Sequence, residues 1–215
     1  MLVTRIHVEG FHDLDGFLET DLDRVVLVDG PHPSATALGD ALALAFAALH
    51  TDHLRSLLKR WELLGPDEDG EIQGSPFPEQ ATWRDRHVAA GLVSNHARRS
   101  IQVDISCALD PPQYGALRSH AATEPSLVAA LAGGGTVHWR TGALFSSSWD
   151  AVAISLQSFA VGKTGFSVRK ADRPTWLTSF LQDLASRFHV HEPGANLEQQ
   201  ILEAATTRRE HSPFL

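Results

Sequence analysis

The segment spanning residues 35–49 most restricts the folds open to this chain, because a helix formed there is apolar all round. It consists almost wholly of alanine and leucine, with Phe46 near its end. Such a helix has to be buried between other elements rather than lie on a surface. The sequence therefore predicts a buried helix at residues 35–49. A chain of 215 residues is long enough to bury such a core.

The strand predictions follow from alternation of apolar and polar residues, which is typical of strands with one buried face. Residues 25–28 instead form a purely aliphatic run, which favours a strand covered on both faces. Strands are predicted at residues 2–8, 17–20, 25–28, 101–109, 136–140, 151–159 and 165–168. Residues 162–165, between the last two, fit a hairpin turn better than a phosphate loop.

The helix predictions follow from apolar spacing and from the positions of glycine and proline. The buried helix is expected to continue, or to restart, as an amphipathic piece with Leu54, Leu57, Leu58 and Trp61 on one face. Further helices are predicted at residues 113–131, 172–187 and 196–209. Residues 65–78 contain four Gly or Pro breakers and four acids, which indicates a surface loop.

Composition and charge predict a soluble cytoplasmic protein. Cys107 is the only cysteine, so no internal disulfide forms, and this favours a reducing compartment. The N-terminal residues show no signal-peptide pattern, and the longest apolar stretch is too short to cross a bilayer. The formal net charge of -8 opposes nucleic-acid binding unless the basic groups gather on one face.

Three short segments carry a resemblance to a known family. Residues 6–11 read Ile-His-Val-Glu-Gly-Phe, residues 26–31 read Val-Leu-Val-Asp-Gly-Pro, and residues 38–42 read Leu-Gly-Asp-Ala-Leu. This wording resembles the opening of RecF, SMC and OLD-type ATPases, in which a strand, a phosphate-binding loop and a helix follow one another. The resemblance implies an α/β fold of the P-loop NTPase type, with a mixed or antiparallel sheet and flanking helices.

The loop that should hold phosphate has lost the residues that the chemistry needs. A phosphate loop uses glycines to turn backbone N–H groups inward, a lysine for the terminal phosphates and a hydroxyl for magnesium. Here Ala35 stands at the lysine position and Pro33 replaces a permissive glycine. Thr36 stands at the hydroxyl position and fits a helix N-cap or first-turn residue better than a magnesium ligand. The degenerate loop comprises Gly30, Pro31, His32, Pro33, Ser34, Ala35 and Thr36.

The expected function follows from this empty loop. The second lobe of the family has no counterpart, since no aliphatic strand ends in paired carboxylates. We therefore expect one ATPase-like domain with no cofactor, a pseudo-ATPase that binds a protein partner in a DNA-maintenance or defence complex. The partner is a second copy or a genuine ATPase. The domain divides into a degenerate P-loop unit at residues 1–64, a surface loop at 65–80, a strand-rich lobe at 81–170 and C-terminal helices at 171–215.

The residues leave three other functions open. The chain is alternatively one lobe of a split ATPase that a partner chain completes. It is also a candidate metal-dependent hydrolase, because His189 and His191 share one face of an extended segment, with His120 or His138 as a third ligand if folding brings one near. A DNA clamp component is the third. The residues proposed for partner or phosphate contacts are Trp83, Arg84, Arg86, Arg98 and Arg99, whose ordinary role is solvated surface.

Overall fold

A computed structural model describes the fold over a defined part of the chain. The described residues are 1–14, 16–20, 22, 32–61, 81–82, 93, 100–121, 124–145, 151–162, 166–169 and 175–186. They form a seven-stranded sheet with helices packed against it, and every pairing between the named strands is antiparallel. The expected α/β combination of sheet and helices is confirmed.

The sheet has one long path with a branch at its last long strand. Its strands are β1 (Leu2–Glu9), β2 (Phe17–Thr20), β3 (Ala81–Thr82), β4 (Ser100–Ala108), β5 (Thr136–Phe145), β6 (Ala151–Val161) and β7 (Phe166–Arg169). The order is β2-β1-β4-β5-β6-β3, and β7 also pairs with β6. The antiparallel pairing of β6 with β7 agrees with the predicted hairpin between them.

Five helices are described, and they correct one prediction. They are α1 (His32–Ala47), α2 (Thr51–Arg60), α3 (Pro111–Ala121), α4 (Pro125–Ala132) and α5 (Thr175–Ser186). The single helix predicted at residues 113–131 is wrong, because α3 ends before Pro125 opens α4. The proline nitrogen carries no hydrogen and cannot donate a hydrogen bond inside a helix. Proline does fit the first turn of a new helix. Within the described residues, no helix is long and apolar enough to cross a membrane.

The strand predictions hold where the structure describes the chain. Strands occur at six of the seven predicted places, and β5 and β6 extend beyond their predicted ends. The aliphatic run at residues 25–28, the loop at 65–78 and the helix at 196–209 lie outside the described residues.

One row of side chains across four strands defines the apolar face of the sheet. Ile6 pairs with Ile105, Ile105 with Trp139, and Trp139 with Phe159. All four are at most 2% exposed. Since successive side chains of a strand point to opposite faces, this row places the polar residues between them on the other face.

Helix α1 is buried against this apolar face, as its composition predicts. Its residues from Ala43 to Ala47 are all buried. The Phe46 ring meets the Trp139 indole edge-on, with ring centroids 5.0 Å apart. Helix α5 packs on the same face through Phe180, whose ring centroid lies 6.2 Å from that of Phe159. The prediction that this helix is buried is confirmed, and the helix begins at His32 and ends at Ala47 instead of spanning residues 35–49.

Helix α2 is amphipathic, as predicted, and it is a separate helix that restarts at Thr51 after α1 ends at Ala47. Leu54, Leu57 and Leu58 are buried while Asp52 and His53 are exposed. The ring of His50 caps the helix, because its Nδ1 accepts a hydrogen bond from the backbone N–H of Asp52 at 3.2 Å. A side chain that accepts from the first turn satisfies one of the unpaired donors found at every helix start.

The turn after β1 depends on a glycine. Gly10 has a φ of +69°, a left-handed conformation that glycine adopts without steric penalty. A Cβ at this position would collide with the carbonyl oxygen of Ser100. The backbones of the two segments therefore approach more closely than any side chain allows. Phe11, the next residue, is fully buried as a result.

Replacing Gly10 with alanine tests this close approach against a matched control. Gly16 has a similar φ of +75° but open space where its Cβ would lie. We expect Gly16→Ala to cost about 1 kcal/mol for the left-handed backbone alone. Gly10→Ala should cost about 1 to 3 kcal/mol more, because the methyl group also overpacks the turn. Urea unfolding of the two variants measures the difference, and equal losses would contradict the close approach.

Candidate functional site

The face of the sheet opposite α1 carries the densest group of interacting polar side chains among the described residues. The strand register brings them into two rows. Arg5 pairs with Ser106 and Ser106 with His138, while His7 pairs with Asp104 and Asp104 with Arg140. Arg5 and Arg140 are exposed, whereas the other four are half-buried or buried. We call this group of six side chains the polar face.

Asp104 is the centre of the second row. Its carboxylate accepts hydrogen bonds from Arg140 Nε at 2.6 Å and Nη2 at 3.0 Å, and from Gln102 Nε2 at 3.0 Å. The two bonds from Arg140 form a bidentate pair, which fixes geometry as well as charge. The hydrogen bond to Asp104 raises the pKa of Arg140. The two charges neutralise each other on the sheet surface.

His7 lies between two carboxylates. Its Nδ1 is 3.5 Å from Asp104 Oδ2, and its Nε2 is 3.5 Å from Glu9 Oε1. Both ring nitrogens donate only in the imidazolium, so the two contacts are ion pairs in that state alone. The second row therefore holds one carboxylate, one guanidinium and one imidazole, and Glu9 adds a second carboxylate from the neighbouring row, where it pairs with Gln102.

His138 stands in the first row with a different environment. Its Nδ1 is 2.7 Å from Ser106 Oγ, while its Nε2 is buried without a hydrogen-bond partner. Burial lowers the pKa of His138, and the nearby positive charge of Arg5 lowers it further. A lowered pKa keeps the imidazole neutral at neutral pH. Because Ser106 is only 6% exposed, its hydroxyl orients the ring rather than meeting a substrate as a nucleophile.

The degenerate phosphate loop is described from His32 onward. Helix α1 spans His32–Ala47, so Pro33, Ser34, Ala35 and Thr36 belong to its first turns. Gly30 and Pro31 lie outside the described residues. In a phosphate loop the residues before the lysine position belong to a loop rather than to the helix. Here three residues before Ala35 are already helical.

Asp40 joins α1 to the two elements beside it. Desolvation raises the pKa of Asp40, and the charges of His12 and Arg60 and a hydrogen bond from Trp61 oppose that rise. His12 follows β1 in a left-handed turn with a φ of 48°, while Arg60 ends α2. The carboxylate thus lies where three segments meet, and burial dominates its electrostatics.

The other candidate residues fall outside the described part. Trp83, Arg84, Arg86, Arg98, Arg99, His189 and His191 all lie there, so their proposed roles stay predictions. His120 and His138, suggested as a third metal ligand, have other contacts. The His120 ring stacks on Trp176 with centroids 5.2 Å apart, and His138 contacts Ser106. Among the described residues no group of three or more His, Cys, Asp and Glu side chains could hold a metal ion.

The polar face was not predicted as a unit, although its members were visible in the sequence. The alternation in residues 101–109 and 136–140 identified the apolar positions and implied that the residues between them share the opposite face. What alternation cannot supply is which strands are neighbours and in which register. His7, Asp104 and Arg140 meet only because β4 lies between β1 and β5.

No protein-family model matches this chain, and no curated protein matches its sequence. Function is therefore inferred from residue chemistry and from the geometry of the described side chains.

The bidentate pair on the polar face predicts a measurable coupling. We expect Asp104→Asn and Arg140→Gln to show a coupling free energy of about 0.5 to 1 kcal/mol in a double-mutant cycle, since the pair is partly exposed. The coupling should shrink at high ionic strength, because salt screens charges near the surface. Urea unfolding of the four proteins at low and high salt measures it. A coupling of zero at low salt would contradict a stabilising role for the pair.

The burial of Asp40 predicts a stability difference that depends on pH. Its folded pKa is raised, so the folded protein binds more protons than the unfolded chain, and stability falls as pH rises from about 4 through the folded pKa. Asp40→Asn removes the ionised group and should stabilise the protein at neutral pH by less than about 1 kcal/mol after solvent screening. Unfolding at pH 7 and pH 4 measures this, since the gain should vanish at the lower pH.

Asp52→Asn is the control for Asp40→Asn. Asp52 is 71% exposed and pairs with Arg55 at 3.7 Å, so its replacement removes the same charge without relieving burial. We expect no gain in stability from Asp52→Asn at either pH. Equal gains in the two variants would mean that the chain's net negative charge, and not the burial of Asp40, is responsible.

Proposed function

We propose that this chain is an ATPase-like lobe that does not hold ATP and acts by binding a protein partner. The proposal combines the resemblance of the first 50 residues or so to RecF, SMC and OLD-type ATPases with the helical start of α1. The resemblance implies the class of lobe. The start of the helix bears on whether such a lobe can still bind a nucleotide.

The extent of α1 is the observation that carries the proposal. The backbone is helical from His32, so residues that would curve around a phosphate are instead wound into the first turn. Pro33 has no N–H to donate, and the alanine methyl group at position 35 cannot replace a lysine ammonium. A charge-assisted hydrogen bond contributes about 1.5 to 3 kcal/mol, so losing several together leaves little affinity for a triphosphate.

The architecture of the described part supports the same proposal. The resemblance implies a first lobe with an antiparallel sheet next to the helix that follows the phosphate loop. Strands β4, β5, β6 and β7 form such a sheet, and α1 packs on its apolar face. Antiparallel sheets beside helices occur in many unrelated proteins, so this agreement supports the proposal without carrying it.

A protein partner is part of the proposal because ATPases of the resembled class join lobes across an interface. The partner is a second copy of this chain or a genuine ATPase of a DNA-maintenance or defence complex. The second candidate is a split ATPase, in which a partner chain supplies the signature motif and the paired carboxylates that this sequence lacks. Both candidates use the same lobe, and they differ in whether the assembled complex hydrolyses ATP.

The decisive measurement for this proposal is nucleotide binding by the purified protein. We expect isothermal titration with magnesium-ATP to show no binding at micromolar strength, because the loop offers neither a lysine nor a full set of inward N–H donors. Ala35→Lys should not restore binding, since the helical first turn persists. Binding at micromolar strength by the unmodified chain would overturn the proposal.

The second arm of the experiment separates the two candidates. If a neighbouring open reading frame encodes a signature motif and an aliphatic strand ending in Asp-Glu, its product is co-expressed with this chain. Magnesium-dependent ATP hydrolysis by the copurified complex, lost when that product's Glu is replaced, would identify a split ATPase. A stable complex without such hydrolysis is the outcome expected of a pseudo-ATPase.

A further inference from the structure

The two rows of the polar face differ in charge pairing. In the second row positive and negative side chains are paired, whereas the first row contains no acidic residue. In the second row the guanidinium of Arg140 meets the carboxylate of Asp104, and His7 faces two carboxylates. In the first row Arg5 is exposed and forms no ion pair among the described residues. Its cross-strand neighbour is a serine, and the next strand places His138 there. The two rows lie on the same sheet surface, so the difference in pairing comes from the residues themselves.

Arg5 and His138 are close enough to act on one ligand. They flank Ser106 on the strands either side of β4, about 10 Å apart across two strand spacings. An arginine side chain spans most of such a distance, and the charge of Arg5 does reach the ring of His138. Both groups are hydrogen-bond donors with no acidic partner among the described residues, which is the arrangement expected where an anion is supplied by a ligand.

One ring nitrogen of His138 has no hydrogen-bond partner, as expected of a site that lacks its ligand. Its Nδ1 contacts the Ser106 hydroxyl, but its Nε2 is buried and has no partner. A buried polar atom without a partner costs about 1 to 3 kcal/mol, so native structures seldom keep one without a reason. Of the three such side-chain atoms in the described part, this one lies near the guanidinium of Arg5, which forms no ion pair with another described residue.

We propose that Arg5 and His138 form a binding site for a small oxyanion, a carboxylate or a phosphate, on the open polar face of the sheet. The guanidinium of Arg5 donates to two oxygens of the anion. The anion cancels the positive charge that disfavours the imidazolium, and His138 takes up a proton from solvent. The Ser106 hydroxyl then changes from donating to Nδ1 to accepting from it.

The proton uptake makes the binding depend on pH. Among the residues that the structure describes, the charged and titratable groups around His138 on this face are Arg5, His7 and Glu9 of β1, Asp104 of β4 and Arg140 of β5. Strand β6 places Ala160 opposite His138. Because Asp104 is already held by Arg140, the entering anion is the group that changes the charge at His138. Oxyanion affinity should therefore rise as pH falls through the titration of His138.

Nitrogen-15 NMR of the histidine side chains tests the proposal directly on the full chain. The pH titration of His138 is followed in sodium chloride, sodium phosphate and sodium acetate at equal ionic strength. We expect its midpoint to rise by about 0.5 pH unit or more in an oxyanion, which corresponds to about a threefold preference of the anion for the protonated ring. A shift in phosphate alone identifies a phosphate site, and one in acetate alone a carboxylate site.

Two variants separate the site from a general salt effect. Arg5→Gln should abolish the oxyanion-dependent shift and raise the midpoint in chloride, because the repelling charge is gone. Arg118→Gln removes an exposed arginine from α3 and should leave the shift unchanged. The proposal is wrong if the midpoint of His138 is the same in all three salts, or if Arg5→Gln retains the shift. These measurements involve neither ATP nor a protein partner, so they stand apart from the proposed function.

Discussion

The C-terminal end of α1 is the constraint on which the rest of the structure depends. A helix leaves its last carbonyl groups without partners, and here that end is buried. Beyond Ala47 the backbone winds more tightly than an α-helix. The N–H of Leu49 donates to the carbonyl of Phe46, three residues earlier, rather than to that of Ala45. The carbonyl of Ala45 instead accepts from the indole N–H of Trp139 at 3.0 Å. The Thr141 hydroxyl also donates to this carbonyl at 3.5 Å, so the sheet satisfies a backbone group that the buried end of the helix would otherwise leave without a partner.

This contact also assigns the two faces of the sheet. Once Trp139 points at α1, its neighbours in the cross-strand row, Ile105 and Phe159, must point the same way. Strict alternation then turns Asp104 and Arg140 to the opposite side. The polar face is therefore a consequence of burying α1, and its charges occupy the surface that the core does not use. The burial of α1 therefore determines both which face of the sheet is apolar and where the polar face lies.

The two proposals concern separate parts of the molecule. The loss of nucleotide binding concerns the first turns of α1, where sequence and backbone both depart from a phosphate loop. The oxyanion site concerns the other side of the sheet, where Arg5 and His138 have no acidic partner among the described residues. An acidic side chain of a protein partner is one source of the carboxylate that the second site would accept.

Local sequence patterns predicted where helices and strands occur more accurately than where one element ends and the next begins. The buried helix, the amphipathic α2 and the alternating strands β1 and β4 follow from periodicity, which depends only on neighbouring residues. The error at residues 113–131 had a local cause, since Pro125 cannot continue a helix that starts before it. The extra length of β5 and β6 comes from mutual pairing, which is a property of the sheet.

By itself, the sequence determined that an apolar helix at residues 35–49 has to be buried and that the alternating strands have one apolar and one polar side. It also determined that the loop segment at residues 30–36 has no lysine. Only the tertiary structure decided that Arg140 neutralises Asp104 while Arg5 and His138 have no acidic partner among the described residues. The physical reason is that these contacts join residues from 36 to 97 positions apart, as in the pairs of Asp104 with Arg140 and with His7. Strand order and register set such contacts, and no local pattern encodes either.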